Sequence, residues 1–351
     1  MSNGNLTLRY VVPFIISHYK RIKPLNLCKE VVWKIGGAGV AGSYLYGRMK
    51  SAGFDVEIYD PKVEDFYIPC GFGTNRFKIE PFLRNLSIDF NEIVETPKAK
   101  VIVSGNNFAE TEFKWNGLCT VDKMKMEKMM RGNMSYIRSI IKPDKDPIID
   151  CTGISRAYLG KSSGDVTMYG IEKVCERSPF EGFYFNFFKG GRGYFWSFPV
   201  GKRYHIGAGG IDLSEVRNHI EPYECTRIVS RKIRMGPSAD GIVKGNVFGV
   251  GESIGYISPL LGEGIVPAME NAEKFFQIIK KNDDMEEISL IYQRSIARDL
   301  ERFSKISKLV QNIQNGKAIN FENISVLRKA LNEVNNFGMK PDFLKIIRHF
   351  L

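Results

Sequence analysis

From Val31 onward the hydrophobic pattern switches repeatedly between strand and helix periods. Val31–Ile35 (VVWKI) is a β-rich run, Gly36 to Gly42 is a turn, and Ser43–Ala52 has helical composition with Gly53 placed as a C-cap. The next segment, DVEIYD, alternates as a strand ending at Asp60. Residues 66–119 read as loops with short strands, and Lys123–Ile141, rich in Met and Lys, as a helix. DPIIDCTG is another strand running into a turn, and 164–212 reads as strands dense in aromatic residues. NVFGVGES is a late apolar strand. Ile265–Lys281 is a long helix starting just after glycines, and 286–351 is helical with basic polar faces. Alternation of this kind predicts an α/β chain, α+β overall.

The first 30 residues differ. An apolar run, Tyr10–Ser17, is broken by Pro13 and followed by the basic stretch His18–Lys23. It is too short to span a bilayer. No charged region precedes it and no small-residue cleavage site follows, so 1–30 reads as an accessory extension rather than a secretory signal.

Composition narrows the class. The chain of 351 residues, 43% hydrophobic and 25% charged, is an ordinary globular sequence of about two domains. It contains no uncharged apolar run of about 18 residues. A net charge of +11 favours anionic partners: a phosphate-bearing ligand, an anionic membrane surface or nucleic acid. No nucleic-acid recognition module accompanies the charge, which argues against the last. The six cysteines form no CxxC pair and read as reduced thiols of a cytoplasmic protein. Four histidines without clustered carboxylates argue against a metal site.

Chemistry first shows at Gly37-Ala38-Gly39-Val40-Ala41-Gly42, a GxGxxG between a strand and a helix, with Asp60 closing the next strand. Gly37 permits the tight turn, Gly39 lets the backbone approach a pyrophosphate, and Gly42 lets the helix pack on the strand. Free N–H groups of the helix start suit phosphates, and Asp60 suits an adenosine ribose.

Two later turns resemble the secondary FAD contacts of para-hydroxybenzoate hydroxylase-like flavoproteins. They are Asp150-Cys151-Thr152-Gly153 and Gly249-Val250-Gly251-Glu252. The group usually carries Asp-Gly in the first and Gly-Asp in the second, so Thr152 and Glu252 are departures. After Glu252 comes Ser258-Pro259-Leu260-Leu261-Gly262-Glu263-Gly264-Ile265. Beside a flavin, the N–H groups of a helix starting there would face the N1–C2 carbonyl edge of the ring and stabilise negative charge on it.

The stretch PLxGEGIxxAMExA resembles the geranylgeranyl reductase family of FAD enzymes. So does Tyr194-Phe195-Trp196-Ser197-Phe198-Pro199 followed by Gly207-Ala208-Gly209, similar to the family's YxWxFP…GxG. Pro69-Cys70-Gly71 is similar to its Cys-Gly stretch near the flavin. The resemblance implies a Rossmann-like FAD-binding domain assembled from 31–75, 120–162 and 245–285. It also implies a mixed-sheet, aromatic-rich substrate domain from 76–119 and 163–244, and a C-terminal helical region, 286–351. It further implies hydride transfer from reduced FAD to an isolated prenyl double bond of a membrane lipid or its precursor. Cys70 is then the candidate proton donor or ring contact, with His205 more naturally structural.

The aromatic strands make sense unaided. Tyr194, Trp196 and Phe198 share one strand face while Phe195 points to the other, and Phe183–Phe188 is similarly ringed. Rings on both faces exceed what one core face needs and suit an apolar slot. No second GxGxxG is present, so electrons would come from ferredoxin or transient NAD(P)H. The basic surface suits either an acidic ferredoxin or anionic lipid, with a cytoplasmic protein peripheral on the membrane's inner face. The tail places Phe343, Ile346, Ile347 and Phe350 on one helical face, with Lys345 and Arg348 nearer the other. The competing readings are a flavin monooxygenase of the same superfamily and a non-enzymatic basic binding protein on a degenerate flavoprotein fold.

Overall fold

A computed structural model describes residues 31–341 apart from 65, 106–107, 239 and 318–322. The expectations for 1–30 and for the amphipathic tail lie outside the described residues.

The chain opens with β1 (Trp33–Gly36), α1 (Val40–Ser51) and β2 (Val56–Tyr59), as the sequence predicts. Then follow β3 (Gly73–Asn75), α2 (Arg76–Arg84), β4 (Val94–Thr96), β5 (Val101–Gly105), β6 (Phe108–Trp115), β7 (Leu118–Val121) and α3 (Lys123–Met130). Next are β8 (Ile148–Asp150), β9 (Thr167–Cys175), β10 (Phe183–Phe187), β11 (Gly193–Val200), β12 (Arg203–Gly210), α4 (Leu213–Ile220) and β13 (Arg227–Arg234). The last elements are β14 (Val243–Lys244), β15 (Val247–Gly249), α5 (Ile265–Ile279), α6 (Met285–Gln314), α7 (Ile324–Phe337) and β16 (Met339–Lys340).

Three expectations change. The helix begun at Lys123 stops at Met130, because Gly132 and Asn133 take positive φ of 65° and 60°. The segment 66–119 holds a helix, α2, whose N-cap Asn75 accepts from the Phe77 N–H at 2.9 Å. The C-terminal region is not wholly helical, since β16 pairs antiparallel with β6.

One sheet runs β14-β15-β8-β1-β2, parallel except for β14. Its register is what positions the site. Gly36 lies opposite Asp150, Asp150 opposite Gly249, and Gly36 opposite Tyr59. The strands therefore end level, and the turns after β1, β2, β8 and β15 leave the same carboxyl edge, where open α/β sheets bind ligands. A core of Ile35, Leu45, Phe248 and Phe275 fills the space between this sheet, α1 and α5.

The second sheet runs β13-β9-β12-β11-β10-β5-β6-β16 and is antiparallel except between β10 and β5. A small sheet, β3-β7-β4, completes the set. Cys175, at the end of β9, and Cys225, just before β13, form a disulfide, correcting the expectation of reduced thiols for this pair. The two strands are antiparallel neighbours, which sets the Cα atoms 4.5 Å apart.

Candidate functional site

The glycine turns converge, and glycine is what allows it. Gly37 has φ +98°, and a Cβ there would sit 2.5 Å from the Cys151 carbonyl oxygen, so the β1 turn rests on the β8 turn. A Cβ on Gly42 would stand 1.9 Å from the Gly37 oxygen, the close helix–strand approach expected of that position. Gly251 has φ +74°, and its Cβ would lie 3.1 Å from the Ala41 Cβ and 3.7 Å from the Ala268 Cβ, so this turn is wedged between α1 and α5. Over Gly39, by contrast, the nearest atom to an added Cβ is Glu127 Oε1 at 3.9 Å.

Asp60 is buried, and its carboxylate accepts the Ala38 and Lys62 N–H groups, each at 3.0 Å. Val40 and Ala41 form the first turn of α1, which no side chain caps. Ala38, Gly39, Asp60, Lys123, Glu127 and Arg131 line a small cavity of ≈ 60 Å³. Thr152 and Gly153 are fixed by Asp150, to which the sequence reading gave no role of its own. One Asp150 oxygen accepts from the Thr152 N–H at 3.0 Å and its hydroxyl at 2.6 Å. The other takes the Tyr158 and Leu159 N–H groups at 2.9 Å.

Two carboxylates stand on the far side of these turns. Glu252 reaches towards Gly153 and is held by Arg231 of β13 at 2.6 Å and by the Arg234 N–H at 3.2 Å. In the turn after Pro259, Gly262 takes φ +66° and Gly264 precedes Ile265, the first residue of α5. The N–H groups of Ile265 and Val266 are not free as expected: Glu263 Oε1 accepts both at 2.9 Å. Glu263 lies one residue before the N-cap, close enough to fold back on its own helix. Burial pushes its carboxyl up to about 8.

Cys70 and Gly71 lie on the second sheet. A Cβ on Gly71 would be 2.7 Å from Phe198 Cδ2 and 3.1 Å from Trp196 Nε1. Burial pushes the Cys70 thiol up to about 11. Gly207 leaves room for the Trp196 ring, which would meet a Cβ there at 2.1 Å. At Gly209 the nearest atom to an added Cβ is 3.6 Å away, and Pro199 O accepts the Thr120 hydroxyl at 2.6 Å. Tyr194 donates to Leu261 O at 2.5 Å.

The aromatic excess has a different cause from the one expected. Phe183, Phe185, Trp196 and Phe198 build one core against Leu261 and Phe337. Tyr184 and Phe195 build a second, on the opposite sheet face, against Val216 and Ile220 of α4. Tyr194, Trp196 and Phe198 line neither the small cavity nor a second one of ≈ 430 Å³. That second cavity is bordered by Phe72, Met124, Val174, Val200 and the cations Lys202, Arg203 and Arg227, with Glu95 and Asp122 among its other lining residues. Tyr67 and Phe72 line both cavities.

Sequence reasoning missed a buried polar cluster beside Cys70. Glu172 of β9 is wholly buried; Tyr67 donates to its Oε1 at 2.7 Å, and His205 Nδ1 lies 3.3 Å away. His205 Nδ1 is also 3.1 Å from the Cys70 carbonyl oxygen. Burial lowers His205 to about 4 and raises Glu172 to about 7, so at neutral pH His205 is neutral and the two form no ion pair. The available signal was an acid on the same strand face as Met168, Gly170 and Val174, which is otherwise apolar.

The fold is that of the flavoprotein oxidoreductases. A geranylgeranyl bacteriochlorophyll reductase-like protein from Thermoplasma acidophilum superposes with TM-score 0.65 at 15% identity, over 87% of this chain and 98% of that one. The 2,6-dihydroxypyridine-3-hydroxylase of Arthrobacter nicotinovorans gives 0.62 at 11%, over 84% and 96%. A tryptophan 6-halogenase from Streptomyces toxytricini gives 0.62 at 12%, over 85% and 83%. No family model and no curated protein sequence matches the chain.

Proposed function

We propose that this protein is an FAD-dependent oxidoreductase that saturates carbon–carbon double bonds of prenyl chains in membrane lipids or their precursors. The observation that carries the flavin half of this reading is the level ending of β1, β8 and β15, with Gly37 pressed on Cys151 and Gly251 wedged between Ala41 and Ala268.

The residues fit the dinucleotide. The space over Gly39 and the uncapped start of α1 suit a pyrophosphate, and Asp60 keeps lone pairs for a ribose after its two backbone bonds. Arg131 braces this corner, donating to Ser43 Oγ at 2.8 Å. Cys70–Gly71, the start of α5 and the Thr152–Gly153 turn would border the ring half. Bound there, FAD supplies the hydride. An isolated alkene offers little charge to grip, so the chain's own contribution is to hold it in place and exclude water. The second cavity, lined by three cations as well as Phe72, Met124 and Val200, suits the anionic end of an amphiphile.

Two measurements test the reading. The purified chain should show flavin absorbance after reconstitution with FAD. Reduced anaerobically with dithionite, it should convert geranylgeranyl lipids to products carrying two more hydrogens per double bond, read by mass spectrometry. A flavin-loaded protein that leaves these lipids unchanged, and couples NAD(P)H and oxygen uptake to an aromatic substrate, would make it a monooxygenase instead.

A further inference from the structure

We propose that Glu172, and not Cys70, gives the proton that completes double-bond reduction; this rests on the reductase reading above. Three adjacent strands put the relevant residues in one row. Trp196 of β11 lies opposite Gly207 of β12, and Gly207 lies opposite Glu172 of β9. All three therefore face the same side of the sheet, the side on which Cys70 and Gly71 rest. Because Gly207 has no side chain, the Trp196 indole spreads across it towards the acid.

The hydrogen bonding decides which oxygen can act. Glu172 Oε1 receives the Tyr67 hydroxyl proton. Glu172 Oε2 is buried and closes no hydrogen bond of normal geometry, nor does the Trp196 indole N–H; that N–H and the Cys70 backbone N–H both face the carboxyl and favour its charged form. An acceptor already serving a donor is a poor seat for a proton, so a protonated Glu172 carries it on Oε2. Buried polar atoms without partners are uncommon enough to call for an explanation. Here a carboxyl oxygen and an indole N–H lie side by side without closing a bond to each other.

In the step itself, one new C–H bond would take the hydride that bound reduced FAD supplies. The π pair of the double bond takes the proton from Glu172 Oε2, forming the second; the O–H bond breaks and leaves a carboxylate. Tyr67 and His205 both touch Glu172 and both line the second cavity, which links the carboxyl to solvent for reprotonation. The charged and titrating groups facing Glu172 are Tyr67 and Cys70 from the segment before β3, His205 from β12, Lys123 from α3, and Arg227 and Arg231 of β13 nearby. The Cys70 thiol, pushed up to about 11, is the weaker acid of the two candidates.

The test is Glu172→Gln in the full chain, with Tyr67→Phe as a second variant. On the purified protein, infrared spectra at pH 6 should show a protonated carboxylic acid band that Glu172→Gln removes. In Tyr67→Phe the band should persist to higher pH, because the lost hydrogen bond favoured the carboxylate. With FAD bound, Glu172→Gln should keep the flavin spectrum and photoreduction while saturation falls about 10²-fold or more. Cys70→Ala should fall far less. A yellow Glu172→Gln enzyme that saturates lipid at the wild-type rate overturns the assignment and leaves the reductase reading intact. So does a wild-type spectrum without the band. A chain that binds no FAD overturns both.

Discussion

At the scale of single residues, the strongest constraints are on charge in places that exclude water. Glu172 is wholly buried and titrates near 7 in the folded protein, against an ordinary value of 4.5. A raised carboxyl binds its proton more tightly folded than unfolded. The stability this gives is fully present below 4.5 and is lost as pH rises through the folded value. A shift of that size corresponds to roughly 3 kcal/mol. Urea titrations of wild type should therefore show stability declining between pH 4.5 and 7, and Glu172→Gln should flatten that decline; parallel curves would contradict the burial argument. Asp60 makes the opposite demand, since its carboxylate must stay available to a ligand. Asp60→Ala should weaken FAD binding about tenfold in fluorescence titration, the loss of one hydrogen bond to a charged group. The same substitution should leave α1 folded by circular dichroism, because Gly37 and Gly42 set that turn.

Between elements, the telling contacts are those where a Cβ has no room. Gly251 joins the β15 turn to α1 and α5 at once, at a φ of +74° that an L-residue adopts at a cost of about 1–2 kcal/mol. Gly251→Ala should lose at least that much stability and should loosen flavin binding as the Ala41 and Ala268 helices move apart; a thermal scan with and without FAD reads both effects. Much of this level was legible in the chain. A glycine fingerprint framed by period-2 and period-3.6 patterns has few structural solutions, so β1, α1 and β2 came out of the sequence in order, with α1 starting at Val40, three residues earlier than expected. The turns at Thr152–Gly153 and Gly251–Glu252 were legible because they repeat the strand-to-glycine grammar. What pattern could not reveal is where side chains go once elements meet. Glu263 folds back onto the N–H groups of Ile265 and Val266, and Glu252 turns to Arg231, a residue 21 positions earlier on another sheet. The helix α2 hid behind Pro81, and the doubled aromatic faces hid α4, which covers one of them.

For the molecule as a whole, the disulfide is the feature least compatible with the expected chemistry and the most directly measurable. Cys175 and Cys225 close a loop with a sequence separation of 50, and that loop contains β10, β11, β12 and α4, the whole ring-bearing wall. Constraining the unfolded chain over such a span is worth roughly 4 kcal/mol in the loop-entropy picture. Opening the bond leaves β9 paired to both β12 and β13 along most of its length, so the sheet itself should survive. Reduction should thus lower the thermal midpoint by several degrees without changing the far-ultraviolet spectrum, and the midpoint should recover on reoxidation. Because Cys70, Cys119 and Cys151 are free thiols in this fold, unfolding without reductant should expose these three to alkylation while Cys175 and Cys225 stay protected. Peptide mapping that finds Cys175 and Cys225 alkylated in unreduced protein would show that the bond is absent. Flavin content measured on the same samples separates the two sheets: Gly37, Asp60 and Gly251 lie outside the loop, so reduced protein should still bind FAD.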